Sequence, residues 1–304
     1  MRMRFKKMTC SRRLAAKTFL FTGISLIAFA ANSILCRLAL DGELIDAAGF
    51  TVIRLLSGSI VLLLMLKLRS NTNSAPCNGS WMAAFLLFIY AAAFSFAYIS
   101  LDTATGALVL FGSVQLTMIL LSLISGNRMH ATEWAGLSLA FAGFLFLILP
   151  GSTHTFSHTG FLLMALSGIA WGIYTLKGRN SLNPLADTTY NFSRTIPFVV
   201  MLTLFTIQHM HLSIQGVILA LLSGGIASGI GYAIWYVALA GLSATQAAVV
   251  QLLVPVIAAL GGVIFVSEPL TYRLTLSGSM ILGGVLLVVI GRHYFPSGSL
   301  NKSP

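Results

Sequence analysis

Acidic side chains are scarce in this chain: seven Asp and Glu stand against 18 Lys and Arg in 304 residues. The seven are Asp41, Glu43, Asp46, Asp102, Glu133, Asp187 and Glu268, and each falls in a polar break or at the end of an apolar run. A carrier coupled to protons or sodium through a carboxylate keeps that group deep in the bilayer, so a buried acidic relay is excluded. Charged residues of both signs make up only 8% of the chain, against about a quarter in a soluble domain. A water-soluble fold is excluded as well. The three cysteines, Cys10, Cys36 and Cys77, form no motif and imply no disulfide framework. The apolar runs hold no His and no acid at depth to act as a base, and no nucleophile–base pair is visible, so the chain is not expected to be an enzyme. His154 and His158 have an i, i+4 spacing, but their loop supplies no Cys or carboxylate. No metal and no cofactor are expected.

What the chain has instead is apolar length, with 57% of its residues hydrophobic. Ten runs can be counted, at about 18–36, 47–66, 81–101, 104–124, 133–149, 160–176, 188–207, 214–238, 243–266 and 272–291. Each is near the roughly 20 residues that cross a hydrocarbon core as helix. This predicts an all-α membrane protein of ten transmembrane helices, with loops too short for a separate domain. Its surroundings are a lipid bilayer, and its function lies inside the bundle.

The net charge of +11 reports orientation rather than a nucleic-acid partner. Seven Lys and Arg precede the first run, and Lys67, Arg69, Arg128, Lys177, Arg179, Arg292 and Lys302 fall on the same side as that leader. Only Arg37 and Arg273 fall on the other side. Both termini are therefore expected in the cytoplasm. No basic face outside the membrane is large enough to hold a nucleic acid. The leader and the run Phe19–Ala31 look like a signal peptide, but this run has a full partner at 160–176, which argues for an uncleaved span behind a mobile basic tail.

That partnership is general. Subtracting 140 sets Val254 on Val114, Tyr236 on Phe96, Ala247 on Ala107, Gly283 on Gly143, Lys177 on Arg37 and Arg194 on Arg54. A constant offset over about 130 residues reads as two tandem copies of one unit, the internal symmetry of many secondary transporters. Five spans per copy is an odd number, so the copies are inverted relative to each other. The expected organisation is a basic cytoplasmic tail at 1–17, a first repeat at 18–150, a second at 151–291 and a cytoplasmic tail at 292–304.

Arg54 and Arg194 each lie about seven residues into a span, where a guanidinium costs roughly 2.5–3.5 kcal/mol. Each either snorkels to the headgroups or faces a cavity and pairs with an anionic group of a substrate. Asn191 shares a face with Arg194. Tyr232, Trp235 and Tyr236 stand at i, i+3, i+4, and Trp171 and Tyr174 form a similar pair; such rings line a cavity or form an interfacial belt. Asn32, Gln115 and Gln251 are amides inside apolar runs, where they act as glue or as substrate ligands. Pro255, one turn from Gln251, frees a backbone carbonyl beside it. The glycines around Gly225 and Gly229 permit close helix approach. The candidate substrate-binding set is Asn32, Arg54, Gln115, Trp171, Tyr174, Asn191, Arg194, Trp235, Tyr236 and Gln251.

The segments FTVIRLLSG (50–58) and YNFSRTIPF (190–198), with SATQAAVVQLLVPVIAALGGVIFVSEPL running into GSMILGGVLLV, resemble the EamA domains of the drug/metabolite transporter superfamily. The resemblance covers the chain after residue 17. It implies ten helices around a central cavity between two units, and export of small metabolites, often amino acids, across the bacterial inner membrane. The turn Gly126-Asn127-Arg128 departs from the pattern, carrying Asn127 where the second copy has Glu268. The leading expectation is an exporter working by alternating access on a small polar or zwitterionic molecule, and a homodimer is compatible with it. The alternative is a non-transporting membrane scaffold or subunit. A channel lacks the ring of charges or carbonyl filter it needs.

Overall fold

The computed structural model describes residues 2–69, 79–124, 130–148, 157–178, 181–239, 241–242 and 250–294. Nearly all of them are helical. In chain order the helices are α1 (Arg2–Asp41), α2 (Ala47–Leu68), α3 (Trp81–Ala97), α4 (Thr103–Ile124), α5 (Ala131–Ile148) and α6 (His158–Gly178). They continue with α7 (Pro184–Ser193), α8 (Ile196–Thr206), α9 (Ile214–Leu221), α10 (Gly231–Leu239), α11 (Leu253–Gly261) and α12 (Tyr272–Tyr294). A π-helical stretch, Leu222–Ile230, joins α9 to α10 in one rod, and a second, Gly262–Val266, extends α11. Among the described residues the extended pairing is a single bridge between Ile45 and Leu212.

Local chemistry fixes several helix starts. Asp46, Ser80 and Ser213 each accept a hydrogen bond from the backbone three residues on, at Gly49, Ala83 and Gly216. These are N-caps, which satisfy amides that the first helical turn leaves without partners. The run expected as one continuous span at 188–207 is instead α7 and α8, broken at Arg194 and Thr195. Pro197 explains the break, because a proline lacks the amide and clashes with the carbonyl four residues back. The first helix reaches back to Arg2, through the residues read as a tail.

Among the described residues five helices are long and apolar enough to cross a membrane: Lys17–Asp41, Ala47–Leu68, Thr103–Leu121, His158–Gly178 and Ile214–Leu239. Four shorter apolar helices accompany them, Trp81–Ala97, Ala131–Leu147, Leu253–Val266 and Tyr272–Val288. Large apolar side chains such as Phe19, Leu204, Phe205 and Ile214 point outward. Water penalises such a surface and lipid does not.

The principal packing joins elements from opposite ends of the chain. α5 lies on α12, α3 and α4 lie on α6, α2 on the first π-helical stretch and α7, α1 on α10 and α11, and α4 on α11. Glycines bring backbones into touch: a Cβ on Gly284 would stand 2.5 Å from the Gly136 carbonyl oxygen, and one on Gly136 would stand 2.5 Å from that of Gly284. Close approach of this kind is how helices associate in lipid, where no hydrophobic force drives them together. The turns at 69–80, 126–128, 150–159 and 240–243, with Cys77, His154 and Gln246, lie wholly or partly outside the described residues.

Candidate functional site

The site is built around Arg54. Seven residues into α2, its side chain is 1% exposed, so the guanidinium does not reach a headgroup layer. Its Nε donates to Ser228 Oγ at 3.2 Å, and its Nη2 donates to the hydroxyls of Tyr90 at 2.9 Å and Tyr232 at 3.4 Å. The guanidinium carbon stands 5.1 Å from the Tyr90 ring centroid and 4.7 Å from that of Phe94. The ion pairs among the described residues all belong to Arg37. Arg54 is held by neutral oxygens and ring faces, with Nη1 buried and unpartnered.

Asn32 on α1 completes the cluster. Its Oδ1 accepts from Ser223 Oγ, and its Nδ2 donates to the Tyr90 hydroxyl at 3.5 Å. Tyr232 donates to the Tyr90 hydroxyl at 3.0 Å. The first π-helical stretch makes this convergence possible. Two residues five apart would sit about 140° apart around an α-helix, but the wider π turn bonds i to i+5 and brings Ser223 and Ser228 to the same side. One serine then serves Asn32 and the other Arg54.

In front of the cluster lies a cavity of about 10 Å³, lined by Phe29, Asn32, Tyr90, Phe94, Leu110, Phe111, Trp171 and Tyr232. All eight are buried. The space admits about one water molecule. Trp171 closes it, with ring centroids 4.9 Å from Tyr90 and 4.7 Å from Tyr232. Phe29 seals another side, 5.7 Å from Tyr232 and 5.6 Å from Trp235. The walls come from α1, α3 and α4 on one hand and from α6 and α10 on the other.

Of the residues singled out from the sequence, the structure gathers Asn32, Arg54 and Trp171 at this centre. Trp235 backs Phe29, and Tyr174 stacks on Trp171 with centroids 5.5 Å apart. Tyr236 continues away from the cavity, its hydroxyl against Gly178 at the end of α6. Gln115 and Gln251 are buried but do not line the cavity. Arg194 and Asn191 sit elsewhere. Asn191 Oδ1 accepts from the Ser80 amide at 2.9 Å, and Arg194 lies 5.8 Å from the Trp81 ring centroid, so both secure the start of α3. The break after α7 causes this, because it makes Arg194 a helix cap rather than a mid-helix residue.

Sequence reasoning missed Tyr90, Phe94, Ser223 and Ser228, and it left Tyr232 out of the site. Tyr90 carried a signal: it is one of two tyrosines in the apolar run 81–101, and the one that lies within α3. The serines carried none, since their alignment depends on the π turn.

A second polar cluster closes one end of the bundle. Glu268 accepts from Arg37 Nε at 3.1 Å, from the Thr103 amide at 2.8 and 3.0 Å, and from Thr103 Oγ1 at 3.1 Å. A carboxylate at the first residue of α4 satisfies a free amide and complements the helix dipole. Ser267, with φ 60, turns the chain so that Glu268 can reach it. Arg37 also pairs with Asp41 at 2.7 Å.

Comparison with known proteins places these features in a family. Residues 158–290 match the EamA-like transporter family. The chain is 48% identical over 276 residues to an uncharacterized protein of Pseudomonas aeruginosa, an alignment covering 91% of this chain and 96% of that one. It is 24% identical over 290 residues to an uncharacterized transporter of Archaeoglobus fulgidus, covering 91% and 99%. A probable amino-acid metabolite efflux pump of Escherichia coli is 28% identical over 218 residues, covering 66% and 73%. A solved crystal structure with 17% identity superposes with a TM-score of 0.62 over 91% of this chain and 99% of its own, which shows a shared fold. By the family match over residues 158–290 and its similarity to these transporter-named relatives, this chain belongs to the EamA-like transporter family.

Proposed function

We propose that this chain carries a small metabolite across the bacterial inner membrane, most simply outward, by alternating access of two inverted five-helix halves. The observation that carries the reading is the central cavity, walled by both parts of the chain and backed by a buried guanidinium with no carboxylate partner. An uncompensated charge at this depth costs free energy that a purely structural bundle has no reason to keep. Each half contributes rings to the same closure. Separating them at one end or the other would expose the same residues to one side at a time.

The packing supports a two-fold relation between the halves. With α6 to α12 taken as the second copy, the contact of α3 with α6 is matched by that of α1 with α10, and the contact of α4 with α6 by that of α1 with α11. The contacts of α2 with α7, α4 with α11 and α5 with α12 pair equivalent helices. Such pairing is what a two-fold relation between halves produces. Both chain ends then lie in the cytoplasm, as the basic residues favour. The printed name of the Escherichia coli relative supports efflux and a small metabolite.

The test is counterflow in proteoliposomes with a panel of amino acids and small organic acids, together with cysteines placed at positions 90 and 171. Transport of at least one solute, and labelling of both positions by a polar reagent, are expected. A folded protein that moves no solute, and whose two cysteines stay unlabelled from both faces, would leave the scaffold reading in its place.

A further inference from the structure

Resting on that transport reading, we propose that the cavity takes an aromatic monocarboxylate lacking an ammonium group, in preference to the corresponding amino acid. The argument begins with a count of protons. Arg54 Nη2 donates to the oxygens of both Tyr90 and Tyr232, so both hydroxyl protons point away from the guanidinium. One of them closes the Tyr232 to Tyr90 bond. Arg54 and Tyr232 fill the two lone pairs of the Tyr90 oxygen, for which the Asn32 amide at 3.5 Å only competes, and the Tyr90 proton is left over on a residue that lines the cavity. Arg54 Nη1 adds further unpartnered N–H groups just behind. On the acceptor side, Ser223 occupies one of the two lone pairs of Asn32 Oδ1.

The cluster is therefore rich in donors and carries a positive charge. An occupant that balances it brings acceptors and a negative charge, and a carboxylate does both. The remaining walls choose the body of the molecule. Six of the eight lining residues are aromatic, Phe29, Tyr90, Phe94, Phe111, Trp171 and Tyr232, which suits a flat apolar ring. An ammonium group fits poorly. Its partners would be ring faces, and two of those rings, Tyr90 and Phe94, already face Arg54, whose charge repels a second cation. Loading requires Trp171 and Tyr232, now 4.7 Å apart between centroids, to separate.

The experiment measures binding of phenylacetate, phenylacetamide, phenylpyruvate and phenylalanine to the purified full chain by calorimetry, with counterflow of the same compounds and of other amino acids. Phenylacetate is expected to bind about ten- to a hundredfold more tightly than its neutral amide, the range of a hydrogen-bonded charge. Phenylpyruvate is expected to bind at least about tenfold more tightly than phenylalanine. Tyr90→Phe should shrink the acid-to-amide ratio and leave the phenylpyruvate-to-phenylalanine ratio, which Arg54 sets, largely in place, while thermal unfolding stays cooperative. Arg54→Lys should retain part of the anion preference that Arg54→Gln loses. Equal binding of acid and amide, or tighter binding of phenylalanine, overturns the assignment while any observed counterflow keeps the transport reading. Absence of binding and counterflow for every compound, from a protein that unfolds cooperatively, overturns both.

Discussion

Two adjacent glycines give the sharpest test of the geometry. Gly224 and Gly225 both lie in the first π-helical stretch, but only Gly224 faces the α2 backbone. A Cβ there would overlap Ser57 Oγ and the Arg54 carbonyl oxygen and stand 2.7 Å from the Arg54 carbonyl carbon. That is about 1 Å inside ordinary carbon–carbon contact, and a backbone atom cannot rotate out of the way. Gly224→Ala must therefore push the rod and α2 apart by about that distance, at an overpacking cost of roughly 1–3 kcal/mol. Ser228 moves with the rod. Its bond from Arg54 Nε is already 3.2 Å long, so the shift takes it out of hydrogen-bond range, adding a loss of about 1.5–3 kcal/mol for a charged donor. At Gly225, by contrast, a Cβ meets only the tip of Val61 at 3.1 Å. Gly225→Ala should be near neutral, helped by alanine's helix propensity. The assay is thermal unfolding of both purified variants beside counterflow in liposomes. Gly224→Ala should melt at lower temperature and transport on the order of a hundredfold more slowly, as a 1 Å misplacement of a binding group allows. If the two variants behave alike, the close approach of α2 to the π turn is not what positions Arg54.

Other expectations follow from the same coordinates. Gly283→Ala, where a Cβ meets nothing within 4 Å, should be neutral or stabilising by up to about 1 kcal/mol, whereas Gly284→Ala, which strikes the backbone of Gly136 and Ala140, should destabilise by about 1–3 kcal/mol; thermal unfolding distinguishes them. Glu268→Gln removes the carboxylate shared by Arg37 and Thr103 and should cost about 2 kcal/mol of stability, read in the same way; an unchanged melting temperature would show the cluster to be incidental. Arg194→Ala should leave solute affinity within about threefold of the parent, since Arg194 stands against Trp81 at the start of α3 and not at the cavity, while Arg54→Gln should remove binding of anionic solutes; equal losses in calorimetry would put Arg194 back in the site. Reporter fusions at the two chain ends should give cytoplasmic activity at both, and a periplasmic signal from either would undo the inverted arrangement.

The composition and the apolar runs made the helical class and the membrane setting legible before any coordinates, and the family was legible in the resemblance carried by segments such as FTVIRLLSG and YNFSRTIPF. Arg54 was legible too, because a lone cation in an apolar run always demands an explanation. Its partners were harder to see. Tyr90 and Phe94 lie 36 and 40 positions along the chain, and their approach to Arg54 depends on how α3 packs beside α2, which no local pattern states. Arg194 had the same local signal as Arg54 and a different fate. The deciding residue was Pro197, whose helix-breaking chemistry was readable but which the long apolar run outweighed. Ser223 and Ser228 were hidden for another reason: a 3.6-residue period puts them on different faces, and only the wider turn unites them.

The carboxylate of Glu268 comes from one half of the chain, and the helix end it closes comes from the other. Parting the halves there would strip α4 of its cap and Arg37 of a counterion in a single movement, so this seam behaves as a bolt with a defined strength. Arg37 and Glu268 are only 13% and 10% exposed, so dissolved salt screens the bolt weakly. The guanidinium of Arg54, sealed from water, does not feel it. How readily that end parts is thus set by the seam's own contacts rather than by the ionic strength of the medium.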